Sequence, residues 1–115
     1  MSKMSEKLHQ MIDQIYDQIL NNGLERYNQG DAVDKKDREG FERVKRETKH
    51  VFKLIDQWED EVMENIHRLD IFPNQVQNTK ENMELLLLHS YYIDVRRKRF
   101  MELYHSIDYV LKLIK

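Results

Sequence analysis

Cysteine is absent from this chain, and with it go disulfide frameworks, thiol nucleophiles, cysteine-rich zinc sites and iron-sulfur ligation. Glycine and proline are scarce, three and one in 115 residues. Strands need turns and turns draw on those residues, so the scarcity favours long helices. Long apolar runs are missing as well. Leu85-Leu86-Leu87-Leu88 is far short of the ~20 residues that span a bilayer, and Met1 to Lys7 has neither the apolar stretch nor the cleavage site of a signal peptide. A cytoplasmic chain without membrane insertion is expected. No sign of charge dominates: 19 Lys and Arg stand against 21 Asp and Glu, a formal net charge of -2, which steers the chain toward neither nucleic acid nor anionic lipid. Glycine-rich phosphate loops, EF-hand loops and His-Glu-x-x-His are not found, which argues against nucleotide hydrolysis, calcium sensing and zinc peptidase chemistry.

What is present is helical periodicity. Met4, Leu8, Met11, Ile12, Ile15, Ile19 and Leu20 recur at steps of three and four, one face of a first helix. Gly23 weakens or bends its end, and Gly30 is the better stop, able to take a left-handed conformation. The polar stretch Asp31 to Gly40 reads as a surface connection. Phe41, Val44, Thr48, Val51, Ile55, Trp58, Val62, Ile66 and Leu69 then hold one stripe for almost thirty residues, enough to run the length of a bundle. Pro73 excludes a relaxed helix interior and biases Phe72 away from helical geometry. Asn74 with Gln77 has the form of a capping box opening a third helix, whose central line is Val76, Lys80, Met83, Leu87 and Tyr91. Phe100, Leu103, Tyr104, Ile107, Leu111 and Ile114 make a further stripe. It would be stranded in water unless the chain reverses within residues 92–98.

Four pairs share the spacing that di-iron bundles use to present a carboxylate and an imidazole together: Glu6-x-x-His9, Glu47-x-x-His50, Glu64-x-x-His67 and Glu102-x-x-His105. Direction weighs against a shared site. The inward line of the second helix turns Glu64 nearly opposite, and Glu47 and Glu64 stand seventeen residues apart, about 25 Å along a helix axis. Glu47, His50, Glu64, His67, Glu102 and His105 therefore remain weak metal candidates, read in preference as solvated i,i+3 pairs, and no cofactor is expected. His89 lies beside Ser90, but nothing in the spacing gathers a base and an orienting acid around that hydroxyl, so no catalytic residue is assigned. Trp58, Tyr16, Tyr91 and Tyr104 read as core whose polar tips reach the bundle edge. Arg96-Arg97-Lys98-Arg99 is the one cluster of like charge. A solvated helix corner accounts for it, with side-chain stems covering apolar edges. If it has a task, these four residues are the candidates for meeting a protein partner. Four charges are a small footprint for nucleic acid at physiological salt.

Arg26-Tyr27 with Gly30, Gln57-Trp58, Lys80-Glu81-Asn82 followed by Glu84-Leu85, and above all Ser90-Tyr91 followed by Lys98-Arg99-Phe100 resemble the YppE-like family of small helical-bundle proteins from Gram-positive bacteria (Bacillota). The resemblance covers most of the chain outside Asp31 to Gly40. It implies an up-and-down four-helix domain of a bacterial cytoplasm, supports the reversal before Phe100, and supplies no catalytic residues.

The expectation is one all-α domain over residues 1–115, an antiparallel up-and-down four-helix bundle with helices at about 4–28, 40–69, 74–92 and 97–114 and a surface connection at about 29–39. Its expected role is a non-enzymatic protein-interaction or regulatory bundle with an unidentified protein partner. Self-association through an edge of the second helix is compatible with the pattern. The alternative is a bundle that binds a metal or a small ligand. Convergent polar groups or an unfilled hollow would mark the second, and an exposed patch that is apolar or of one charge sign the first.

Overall fold

A helix that is apolar along one stripe must bury that stripe against others, and the four stripes of this chain do so around one core. The computed structural model describes residues 3–115, with side chains from Glu6 onward, so the expected inward position of Met4 lies outside the described side chains. The first rod is continuous but changes pitch. It runs through α1 (Lys3–Ile15), a π-helical segment (Tyr16–Asn21) and α2 (Asn22–Gln29), followed by α3 (Arg38–Glu64), a 3-10 turn (Ile66–Arg68), α4 (Pro73–Tyr92) and α5 (Arg97–Ile114). Among the described residues there is no strand. The first rod packs on α3 and α4, and α4 packs on α3 and α5. Tyr16 Oη donates to Asp108 Oδ1 at 2.6 Å and ties the first rod to α5. The extents are 46 × 27 × 21 Å, and the longest matches the ~40 Å that a helix of α3's length spans.

Ile12, Ile15, Ile19, Leu20, Ile55, Trp58, Val62, Met83, Leu86, Phe100 and Ile107 are fully shielded from solvent, each large side chain contributing roughly 1.5–3 kcal/mol relative to exposure. Ile19 and Leu20, adjacent in sequence, are both buried on the π turn. The Asn22 N–H reaches back to Asp17 O, five residues earlier, and the widened turn admits an extra residue to the inward face.

The ends of the elements depart from the sequence pattern in instructive ways. Gly30 takes φ 72° and closes α2 with its N–H on Tyr27 O. Gly23 is neither bend nor stop. It is buried inside α2 where an added Cβ would lie 2.9 Å from Leu86 Cδ2, so its missing side chain lets the first rod approach α4. The connection is shorter than expected, because α3 begins at Arg38, N-capped by Asp37, whose Oδ1 accepts from the Glu39 N–H at 3.2 Å. Phe41, expected in the inward stripe, is 48% exposed, and Gly40 lies buried against Val33 in its place. At its far end α3 stops at Glu64 rather than near residue 69: Asn65 leaves helical geometry and its Nδ2 donates to Glu61 O at 2.8 Å. The capping box expected at Asn74 and Gln77 is replaced by a half box two residues earlier. Pro73 occupies the first helical position, Phe72 is the cap, and Gln75 Oε1 accepts from the Phe72 N–H at 2.8 Å. Proline's fixed φ suits that first position, and its missing N–H costs nothing there. Lys80, expected on the apolar line of the third helix, instead bridges to α3, with Nζ 3.1 Å from Asp56 and 3.0 Å from Glu59.

Candidate functional site

The reversal between α4 and α5 is built by residues 93–96 and braced from three sides. Ile93 has φ 49°, a left-handed conformation costly for a β-branched residue, and its N–H closes α4 on His89 O at 2.8 Å. Tyr27 Oη donates to Val95 O at 2.6 Å, while its ring stacks on Phe100 at 4.3 Å. The 30–37 connection leans in from the other side. The Val33 N–H donates to Tyr91 O at 2.9 Å, and Lys35 pairs with Asp94, whose other oxygen meets His89 Nδ1 at 2.6 Å. Burial pushes the Asp94 carboxyl up, but the hydrogen bonds from Lys35 and His89 outweigh it and hold the group below its ordinary value.

On this brace stand Arg96, Arg97, Lys98 and Arg99, all exposed. Arg96 is the N-cap of α5 and makes no side-chain capping bond. Arg97 donates to Asn28 Oδ1 and Arg99 lies 3.7 Å from Glu102. Arg96 and Lys98 have no ion pair among the described residues. Cations at the positive end of a helix dipole are unfavourable by roughly 0.3–1 kcal/mol each. Apart from the Arg99–Glu102 pair, the helix dipole opposes the sign of these charges.

The Glu-x-x-His pairs do not assemble. His9, His50, His67 and His105 are exposed, and no three acidic or imidazole side chains come together at metal-ligand spacing among the described residues. Glu64 is the last residue of α3 and His67 lies in the following 3-10 turn, so that pair does not share a helix. Glu102 pairs with Arg99, and the His105 ring meets Tyr104 edge-on at 5.6 Å. Ser90 is buried, donates to Leu87 O at 2.6 Å and accepts from Arg26 Nε at 3.0 Å. A hydroxyl facing a permanent cation rather than a base is not set up as a nucleophile of the triad kind.

Glu47 leads to a network that the spacing did not reveal. It accepts from Tyr91 Oη at 3.0 Å and lies 3.7 Å from Arg43. Burial is the main reason that the Tyr91 hydroxyl titrates above its ordinary value. The Arg26 guanidinium lies over the Tyr91 ring at 4.1 Å. Arg26 Nη2 and Gln18 Oε1 are both buried without a hydrogen-bond partner. Both residues line one hollow of about 270 Å3 between the first rod, α3 and α4, with Glu47 and His50 on its other side. The sequence signal for this region was a charged residue, Arg26, on the inward side of the first helix, next to Tyr27.

Two comparisons bear on this arrangement. The chain is similar to protein yppE from Bacillus subtilis, whose crystal structure superposes with a TM-score of 0.80 over 96% of this chain and 91% of that one, at 26% identity. No curated protein matches it. The sequence profile of a bacterial domain of unknown function (DUF1798) matches residues 5–115, and over nearly its whole length the chain therefore belongs to that bacterial family of YppE-like helical bundles.

Proposed function

We propose that this protein is a non-enzymatic interaction module of the bacterial cytoplasm that docks an acidic surface of a partner protein through Arg96, Arg97, Lys98 and Arg99. One observation carries the reading: four consecutive basic side chains stand exposed on a braced corner at the positive end of α5, where the helix dipole opposes them. Charges that disfavour the fold and make few internal contacts are best explained by something outside the chain. Complementary charge steers encounter and selects partners more than it adds affinity, which suits a regulatory contact. A protein is favoured over nucleic acid because the cluster is confined to one corner of a chain whose net charge is -2.

The test is capture from native cells in mild salt with the wild-type chain and with R96Q/R97Q/K98Q/R99Q. A protein retained by the first and lost by the second, and released as salt is raised, supports the reading. Equal recovery from both chains removes the corner as the docking site, and material released by nuclease replaces a protein partner with nucleic acid.

A further inference from the structure

Arg26 and Glu47 face the same hollow and do not touch. Tyr91 stands between them: its ring lies under the guanidinium at 4.1 Å and its hydroxyl donates to Glu47 at 3.0 Å. Opposite charges are thus held apart across an aromatic spacer instead of closing into an ion pair. No carboxylate lies within ion-pair distance of Arg26 among the described residues. An arginine that is only partly exposed and lacks a counter-charge is expensive to keep, and Nη2 has no acceptor among the described residues.

On the same wall Gln18 presents a buried amide oxygen that no donor reaches. Gln18 belongs to the π-helical segment, a distortion that recurs at functional sites because it re-aims side chains. Asn22, Val51 and Leu87 complete the lining, the last two with apolar surface. The hollow therefore offers a cation for an anion, a carboxylate and an amide oxygen for a donor, and an aliphatic patch. Its volume, about 270 Å3, is just under the ~300–1,000 Å3 of drug-sized sites.

We propose that this hollow binds a small aliphatic α-amino acid as its zwitterion, with the carboxylate on Arg26, the ammonium on Glu47 and Gln18, and the side chain against Val51 and Leu87. Guanidinium recognises carboxylate in a planar fork, and with Arg26 Nε held by Ser90 Oγ the Nη1/Nη2 edge is the one left for it. A dianion such as phosphate is disfavoured by Glu47 on the facing wall, and a plain carboxylate leaves Glu47 and Gln18 unanswered. The site is separate from the basic corner and does not depend on it.

The test follows the Arg26 Nε–H resonance of the chain during titration with L-valine, isovalerate, which lacks the ammonium, and L-valinamide, which lacks the carboxylate. Valine is expected to give a saturable shift, with each truncated probe bound about tenfold or more weakly, the worth of one charged hydrogen bond. Arg26→Met removes the reporter, so it is followed through the Val51 and Leu87 methyl resonances and is expected to abolish valine binding. Glu47→Gln, at an exposed position that leaves the core untouched, weakens valine toward the isovalerate value, and R96Q/R97Q/K98Q/R99Q leaves it unchanged. Equal binding of valine and valinamide, undiminished binding by a folded Arg26→Met chain, or no saturable shift with valine overturns the assignment.

Discussion

Arg26 and the run Arg96 to Arg99 place the same kind of cation in opposite surroundings. The corner cations are in water, where their charge is screened and their loss changes little inside the molecule. Arg26 is held between three helices by a serine hydroxyl and an aromatic face, with one nitrogen shut away from water. Ser90 and the Tyr91 ring are consequently committed to it. The comparison teaches that charge on this protein acts by two routes: at the corner it is free to meet a partner, and at the hollow it creates a polar interior that the apolar core by itself would not contain.

The largest expected effect breaks the Arg26 side of that comparison. Ser90→Ala strands Arg26 Nε and should destabilise the chain by about 2 kcal/mol, read as a lower urea midpoint. In an Arg26→Met background the same change should cost near nothing, because the stranded donor is gone, and an unchanged cost in both backgrounds would show that Ser90 matters only through its bond to Leu87 O. Arg26→Met alone should raise stability by about 1 kcal/mol, since replacing a poorly compensated buried charge with an apolar group of similar length is neutral or favourable. A clear loss of stability would mean that Tyr91 and Ser90 fully satisfy the guanidinium.

Two smaller effects sharpen the corner side. The folded carboxyl of Asp94 titrates below its ordinary value of 3.8, so the stability it contributes is present above that value and is lost as pH falls through the folded one. Asp94→Asn should therefore cost about 1 kcal/mol at neutral pH, and the gap between the two chains should close in acid unfolding curves below about pH 3.8. A gap that persists there would attribute the loss to packing. Smallest of all, R96Q/R97Q/K98Q/R99Q relieves the helix-dipole repulsion but also loses the Arg97–Asn28 and Arg99–Glu102 contacts, so it should stabilise the chain by only a few tenths of a kcal/mol, read as a slightly higher thermal midpoint at low ionic strength and not at high. Destabilisation at any salt would make the four side chains part of the fold.

The bundle was largely legible because helical periodicity is a local property: steps of three and four through Ile12, Ile55 and Ile107 lead to buried positions. Local rules failed where another helix decided. Phe41 continues the second stripe in sequence, yet α3 begins so close to Val33 that only Gly40 faces inward there. Asn74 and Gln77 satisfy a capping pattern, but Pro73 at the first helical position moves the start to Phe72. Gly23 looks like a helix breaker along one chain and is a contact surface for Leu86 across two.

The chemistry was less legible still. Arg26, Glu47, Ser90 and Tyr91 enter the sequence reading separately, Glu47 through its spacing to His50 rather than through Tyr91, and nothing in the linear pattern shows that they converge. By itself the sequence determined the helical class, the polar corner and the absence of thiol chemistry, because composition and periodicity act residue by residue along one chain. Only the tertiary structure decided what faces Arg26. The rotation and axial offset of neighbouring helices are set by the packing of the whole core, and the π turn shifts that register in a way no linear spacing records.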